Sequence, residues 1–380
     1  MSKKNFPMAN NVALQDFPEP PSVGRHPQRI YYLDVLRVLS IFGVIAMHAV
    51  DISRTDLSDM RTWWIGHALI TFSYFGVPVL VMISGAILLS PEKRLDVIPF
   101  YKKRLPKIVI PLIAWSFIYY IRDVLDGVTF WLPTFFKRLL TGSWAGHLWF
   151  LYMMICIYFM TPFIRKMFVG DGKNEDMRLA KTFLILYFLY NAFLFFVEMA
   201  YQSHPSYYMR EALFSFYMFY FVLGYYIRRS DFPKSIGLML SPPLFFIGGI
   251  LTFWSYYQYS IVLRSRWPAF FDFGTPFVML MAFAIFLFFK SLTYRDSRFM
   301  RAVIYVSKMS YGIYLCHMLV LDVFSGQLLP IFDGTLLPPF SIRSFEPLLS
   351  GPLLIVVTFA ISLLITMGLH RVRWLRWLVP

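Results

Sequence analysis

Ten apolar stretches run along the chain, near 31–50, 68–89, 106–121, 147–166, 179–199, 211–228, 237–254, 273–290, 302–324 and 350–370. Each approaches the roughly 17–25 residues a helix needs to cross a bilayer. With no water in the hydrocarbon region, a helix satisfies its own backbone polar groups, so these runs predict membrane-spanning helices. The third, 106–121, is short and can extend into its flanks. The segment 128–140 is aromatic and broken by proline, which predicts an interfacial or re-entrant piece. No internal repeat is evident.

The polar breaks between the runs orient the bundle. An even number of spans puts both termini on one side. With the N-terminus inside, the inner segments carry 27 of the 36 Lys and Arg residues and the outer loops nine. Lys102, Lys103, Arg104 and Lys107 form the densest inner group. That asymmetry is what the positive-inside rule requires. The sequence therefore predicts an all-α integral membrane protein of about ten transmembrane helices, with both termini cytoplasmic. Its place is a cell membrane, the bacterial inner or plasma membrane, with lipid as its solvent. Residues 1–28, with five prolines and no apolar run, read as a mobile cytoplasmic tail without a cleavable signal. Residues 29–380 form the membrane domain.

Composition agrees. The 380 residues are 58% hydrophobic, 20% aromatic and only 15% charged, against about a quarter charged in an ordinary soluble domain. A net charge of +15 raises nucleic acid as a partner, but the charges lie in short blocks between apolar runs, and membrane topology accounts for them. No nucleic-acid partner is expected. Cys156 and Cys316 lie inside apolar runs without metal-ligand spacing, so neither a metal site nor a disulfide framework is expected. Nothing in the sequence sets an oligomeric state.

The first span carries the sharpest chemistry. RIYYLDVLRVLSIFGVIAMHAVD (29–51) places Asp34 and Arg37 near one end and His48 near the other. Eleven helical steps of about 100° end about 20° past three turns, so Arg37 and His48 share a face, about 16 Å apart along the axis. Ionisable groups within a span usually face the bundle interior or a watery cavity. Two blander readings stand beside this one: Arg37 can snorkel to headgroups, and His48 can be an interfacial histidine.

An arginine followed after ten residues by a histidine in the first span, with the lead-in LDVLRVL, resembles the acyltransferase 3 family of membrane O-acyltransferases. SYFGVPVLVMISGAILL (73–89), with its Ser84-Gly85 step, resembles that family's second helix. FYKKRLPKIVIPLIAW (100–115) resembles the basic loop into its third. GHLWFLYMMICIYFMTPFIRK (146–166) resembles the fourth helix of the surface-polysaccharide O-acetyltransferase branch, and VSKMSYGIYLCHMLVL (306–321) resembles the ninth. The resemblance covers about residues 29–370.

What the resemblance implies is transfer of an acyl group, most commonly acetyl from cytoplasmic acetyl-CoA, to a hydroxyl of a cell-envelope polysaccharide or lipid-linked glycan. Acyl-CoA would then be the donor and a glycan the acceptor, with no metal. Arg37, Ser84, Lys102, Lys103 and Arg104 would face the polyanionic donor, where the start of the third helix can also hold phosphate. His48 would take the acceptor proton, since imidazole titrates near neutral pH. Asp51 can orient that ring or be a solvated loop carboxylate. His147, Trp149, Tyr311 and His317 lie at similar depth and would meet the acceptor, or are packed residues. Glu198 and Asp322 close their helices at the outer surface, facing sugar or water. Trp63, Trp64, Trp131, Trp144, Trp254 and Trp267 read as an interfacial belt. The loops 51–66, 122–146, 200–210, 255–272 and 325–349 would set the acceptor. Two alternatives remain: a transporter or flippase for a glycan, for which repeat symmetry would be expected, and the same enzyme type using succinyl.

Overall fold

The computed structural model describes residues 29–51, 58–91, 95–168, 170, 172–201, 215–258, 261, 273–325 and 340–380. The expected N-terminal tail lies outside them, and Tyr31–Pro380 forms one compact unit. Among the described residues there are helices and no strands. They are α1 (Tyr31–Ala49), α2 (Met60–Ser73), α3 (Gly76–Leu88), α4 (Val97–Arg104), α5 (Pro106–Leu125), α6 (Leu132–Thr141), α7 (Trp149–Phe168) and α8 (Lys173–Tyr201). Then follow α9 (Phe216–Arg229), α10 (Lys234–Tyr257), α11 (Pro276–Ser291), α12 (Arg298–Phe324) and α13 (Pro347–Arg371).

Eight stretches are long and apolar enough to cross a membrane, with α2–α3, α4–α5 and the turn before α7 each counted with its continuation. Two of the ten apolar runs emerge as shorter helices, α9 with 14 residues and α11 with 16. At 1.5 Å per residue these reach about 21 and 24 Å, less than the roughly 30 Å hydrocarbon core. Residues 202–214 and 262–272, which lie upstream of the two, are outside those described. The short third run does extend, as Val97–Leu125. Segment 128–140 contains the amphipathic α6, of whose side chains only Phe135 is buried.

Local sequence explains the helix ends. Asp59 caps α2, accepting from the backbone N–H groups of Arg61 and Thr62 at 3.1 and 3.2 Å. With the Thr62 hydroxyl, those bonds hold its carboxyl below the usual carboxylate range. Ser215, Thr275 and Ser297 cap α9, α11 and α12 in the same way. At the opposite ends, cations serve. Arg165 donates to Leu88 O at 3.0 Å and Arg228 to Ala86 O at 2.6 Å, closing the last carbonyls of α3. Lys290 does the same for Ile227 O and Ser230 O at the end of α9.

Small residues let the central helices touch. A Cβ on Gly85 would lie 1.8 Å from Phe221 O, and one on Gly224 would lie 1.9 Å from Met82 O. Helices α3 and α9 therefore pack backbone to backbone, the approach the Ser84-Gly85 step permits. Gly76 brings α3 against α1, where a Cβ would lie 2.8 Å from Ser40 O. The α2–α3 pair has 72% of its apolar window buried, against 28% for α8 and α10. Helices α1 and α3 thus sit centrally, while α8 and α10 expose most of their apolar surface.

The tryptophans divide. Trp64, Trp131 and Trp254 are 40–62% exposed, as belt residues should be. Trp63 and Trp144 are buried: the first stacks on His67 and Tyr256, and the second donates to Phe135 O. Trp267 lies outside the described residues.

Candidate functional site

Two cavities run end to end beside α1. The larger, of about 360 Å³, is lined by Arg37, Ser84, Arg104, Lys107, Tyr158, Ser307, Lys308, Ser310, Tyr311 and Tyr314 among others. The smaller, of about 190 Å³, is lined by Val44, Met47, His48, Asp51, Ile70, Tyr74, Val77, His147, Trp149, Phe273 and Tyr314. Tyr314 belongs to both, so its side chain is their common wall. On α1, Arg37 and Ile41 face the first cavity, and Val44, His48 and Asp51 face the second. Those positions follow the i, i+4, i+7, i+11 stripe of one helix face. Arg37 and His48 thus share a face, and His48 faces a cavity.

The basic cavity is organised around α1 and α12. Asp34 is buried on α1 and accepts from the Ser307 hydroxyl at 2.7 Å. Ser307 in turn accepts from the Arg37 guanidinium at 3.1 Å, and Arg37 lies 3.7 Å from Asp34 itself. This triad fixes the arginine at the cavity wall. Arg104, Lys107 and Lys308 add three more cations to the lining, a set that suits a polyanionic ligand. Ser84 lines the same cavity, with its hydroxyl donated to Leu80 O of its own helix. The Tyr311 hydroxyl is buried without a hydrogen-bond partner, the kind of group a ligand satisfies.

The second cavity is a histidine site. His48 from α1, His147 from the 3₁₀ turn before α7, and His317 from α12 converge. Ring centroids are 5.3 Å apart for His48–His317, 4.9 Å for His147–His317 and 6.4 Å for His48–His147. His147 and His317 are fully buried. His317 Nδ1 lies 2.6 Å from Tyr314 O, its partner one turn back, and its Nε2 has no partner. Donation from Nδ1–H makes Nε2 the lone-pair nitrogen. Both ring nitrogens of His147 are likewise without partners, while its carbonyl accepts from the Tyr314 hydroxyl. Among the described residues no group of three His, Cys, Asp or Glu side chains is placed to hold a metal ion.

An ionic cluster holds this end together. Arg122 on α5 pairs with Asp322 on α12 at 2.6 Å and with its neighbour Asp123 at 2.6 Å, and Arg138 on α6 reaches Asp123 at 3.6 Å. Arg122 lies over the Tyr119 ring. Tyr119 donates to Leu315 O at 2.9 Å and packs its ring 5.2 Å from that of His147. The cluster therefore locks α5 to α12 on the side that carries two of the histidines.

The sequence-predicted residues distribute as follows. His48, Asp51, His147 and Trp149 line one cavity, and His317 backs it without lining it. Arg37, Ser84 and Arg104 line the other. Lys102 and Lys103 are exposed and off its wall, whereas Lys107, one turn along and also exposed, lines it. Tyr311 falls with the cations and not with the histidines, since it lies almost two turns before His317. Asp322 is buried in its pair with Arg122, a correction to the reading that it faces sugar or water. The sequence alone does not mark Arg122, Ser307 and Lys308 as site residues. The adjacent Arg-Asp of 122–123 was the one visible sign, while its partner lies some two hundred residues away.

A model of the acyltransferase 3 family, described as an acyltransferase domain, matches residues 30–367. No curated protein and no solved structure matches the chain.

Proposed function

The chain belongs to the acyltransferase 3 family and is a membrane acyltransferase, and from that premise we propose that it moves an acetyl group from cytoplasmic acetyl-CoA to a hydroxyl of a cell-envelope polysaccharide or lipid-linked glycan. The observation that carries this reading is the pair of cavities joined at Tyr314, one lined by cations and the other by imidazoles. The donor's phosphates are held by Arg104, Lys107, Lys308 and Arg37, with the basic end of a ten-span bundle and both termini in the cytoplasm. The pantetheine arm, comparable in length to the Arg37–His48 separation, carries the thioester to the histidine cavity.

There the acceptor hydroxyl attacks the thioester carbonyl as His48 takes its proton. The tetrahedral centre collapses with cleavage of the carbon–sulfur bond, and the imidazolium returns the proton to the departing thiolate. Among the described residues no serine, threonine or cysteine lines the histidine cavity, which supports direct transfer over a side-chain ester. Asp51 shares the wall with His48 and can favour the imidazolium. Trp149, Tyr74 and Phe273 offer ring faces that suit a sugar, with the polar His147 beside them.

Charge bears on the acyl group. The described wall of the histidine cavity holds Asp51 and no Lys or Arg, so a succinyl carboxylate there would be unpaired beside a like charge. A small neutral group suits it better. The transporter alternative lacks the repeat symmetry it would require.

The test mixes purified protein with radiolabelled acetyl-CoA and an envelope-glycan extract, beside His48→Ala and Arg37→Ala proteins. Label should move to glycan with the native protein and not with His48→Ala. Full transfer by His48→Ala sinks the base assignment, and native protein that moves glycan but no label favours the transporter.

A further inference from the structure

We propose that a groove beneath the C-terminal 3₁₀ turn, between Trp377 and the start of α5, holds the adenosine 3′-phosphate end of the coenzyme A donor. The inference rests on acyl-CoA being the donor. If the phosphates and part of the pantetheine arm fill the cavity of about 360 Å³, the adenosine is left to lie beside it. A second hollow of about 200 Å³ adjoins it and shares Lys107 and Pro380 with its wall. The rest of that hollow is Pro106, Ile110, Arg376 and Trp377. Apolar surfaces and one indole face supply what a purine needs, and Lys107 and Arg376 supply what its phosphates need.

The turn carrying the indole is fixed on both sides. Trp115 Nε1 donates to Leu378 O at 2.9 Å, and Arg376 Nε donates to His370 O at 2.7 Å. Val379 is 1% exposed and sits against Gly312 of α12, where an added Cβ would meet it at 2.9 Å. Trp377 itself remains 62% exposed. An aromatic face already held in place loses little freedom on stacking, which favours binding.

The competing role for such a residue is an interfacial anchor. Trp374, three residues earlier and 83% exposed, lines neither hollow. It has the anchor's properties without the groove's, and so serves as the control.

The experiment uses the full chain in lipid nanodiscs and compares kcat/KM for acetyl-CoA with that for S-acetylpantetheine, which has the thioester but no nucleotide. Trp377→Ala should lower the ratio of the two by about tenfold, the loss of one stacked base, and Trp374→Ala should leave it unchanged. An unchanged ratio in Trp377→Ala, or an equal fall in both variants, overturns the groove in favour of an interfacial anchor only. If the native protein uses neither donor, the acyl-CoA reading fails, and the groove is then judged by calorimetry with adenosine 3′,5′-bisphosphate. Binding that Trp377→Ala abolishes supports it, and no binding by the native protein overturns it.

Discussion

The His48 and His317 rings approach to 5.3 Å between centroids, one from the first helix of the bundle and one from the last but one. Because His317 commits Nδ1 to Tyr314 O, its lone pair at Nε2 is what it can offer a neighbouring imidazole. We therefore expect His48→Ala to lower acetyl transfer by about 10²–10⁴-fold, the range of a lost general base. His317→Ala should lower kcat by less and leave the donor KM unchanged, since His317 backs the site without lining either cavity. Steady-state kinetics of the two proteins separate the roles; a larger loss in His317→Ala would exchange them.

Much of this site is legible in the sequence. The Arg37–His48 spacing fixes a shared helix face, and the structure adds that the face is the wall of two cavities. Apolar run lengths give eight spans directly, while α9 and α11 are too short to be recognised by length among the described residues. The pairing of Arg122 with Asp322 is beyond sequence periodicity, because the partners lie on helices far apart in the chain. Periodicity does not separate Lys102 and Lys103 from Lys107, which alone of the three lines the basic cavity. Most of 200–210, 255–272 and 325–349, which would recognise the acceptor, lies outside the described residues.

Ser307 bridges Asp34 and Arg37. Ser307→Ala removes the bridge but keeps both charges, so the guanidinium loses its fixed position and not its attraction for phosphate. The expected result is a several-fold rise in KM for acetyl-CoA at nearly constant kcat, the pattern of lost uniform binding. Arg37→Ala should raise KM further. A fall in kcat alone in Ser307→Ala would remove the triad from donor binding.

Arg122→Ala leaves the Asp322 carboxylate buried without its guanidinium. Breaking such a pair costs about 3–5 kcal/mol, whereas replacing both partners with apolar groups is often nearly neutral. The single variant should therefore lower Tm in a detergent thermal-shift assay, and the double variant Arg122→Met with Asp322→Leu should recover much of the loss. Equal losses in the two would show that the cluster's value lies in its other contacts.

Gly85→Ala places a methyl 1.8 Å from Phe221 O, and backbone cannot yield as a side-chain tip can. Overpacking costs about 1–3 kcal/mol and sometimes more. Helices α3 and α9 must separate, carrying Ser84 and the wall of the basic cavity with them. Lower Tm together with a raised donor KM is expected, whereas Gly368→Ala, whose Cβ meets nothing within 4 Å, should be silent in both assays.

Tyr314 stands between the two cavities, with its ring 5.4 Å from His147 and 5.3 Å from Phe150, where it would close around a threaded pantetheine arm. Tyr314→Phe keeps the ring and loses only the hydroxyl's bond to His147 O, a net contribution of about 0.5–1.5 kcal/mol, so activity should fall modestly. Tyr314→Ala widens the opening between the two cavities and should admit water to the thioester. Exclusion of water is what protects a reactive acyl group from hydrolysis. Acetyl-CoA hydrolysis in the absence of glycan should accordingly rise in Tyr314→Ala while transfer to glycan falls, and free thiol release followed with a disulfide reagent measures it. A variant that loses transfer with no gain in hydrolysis would show that the ring aligns the reactants and does not seal the passage.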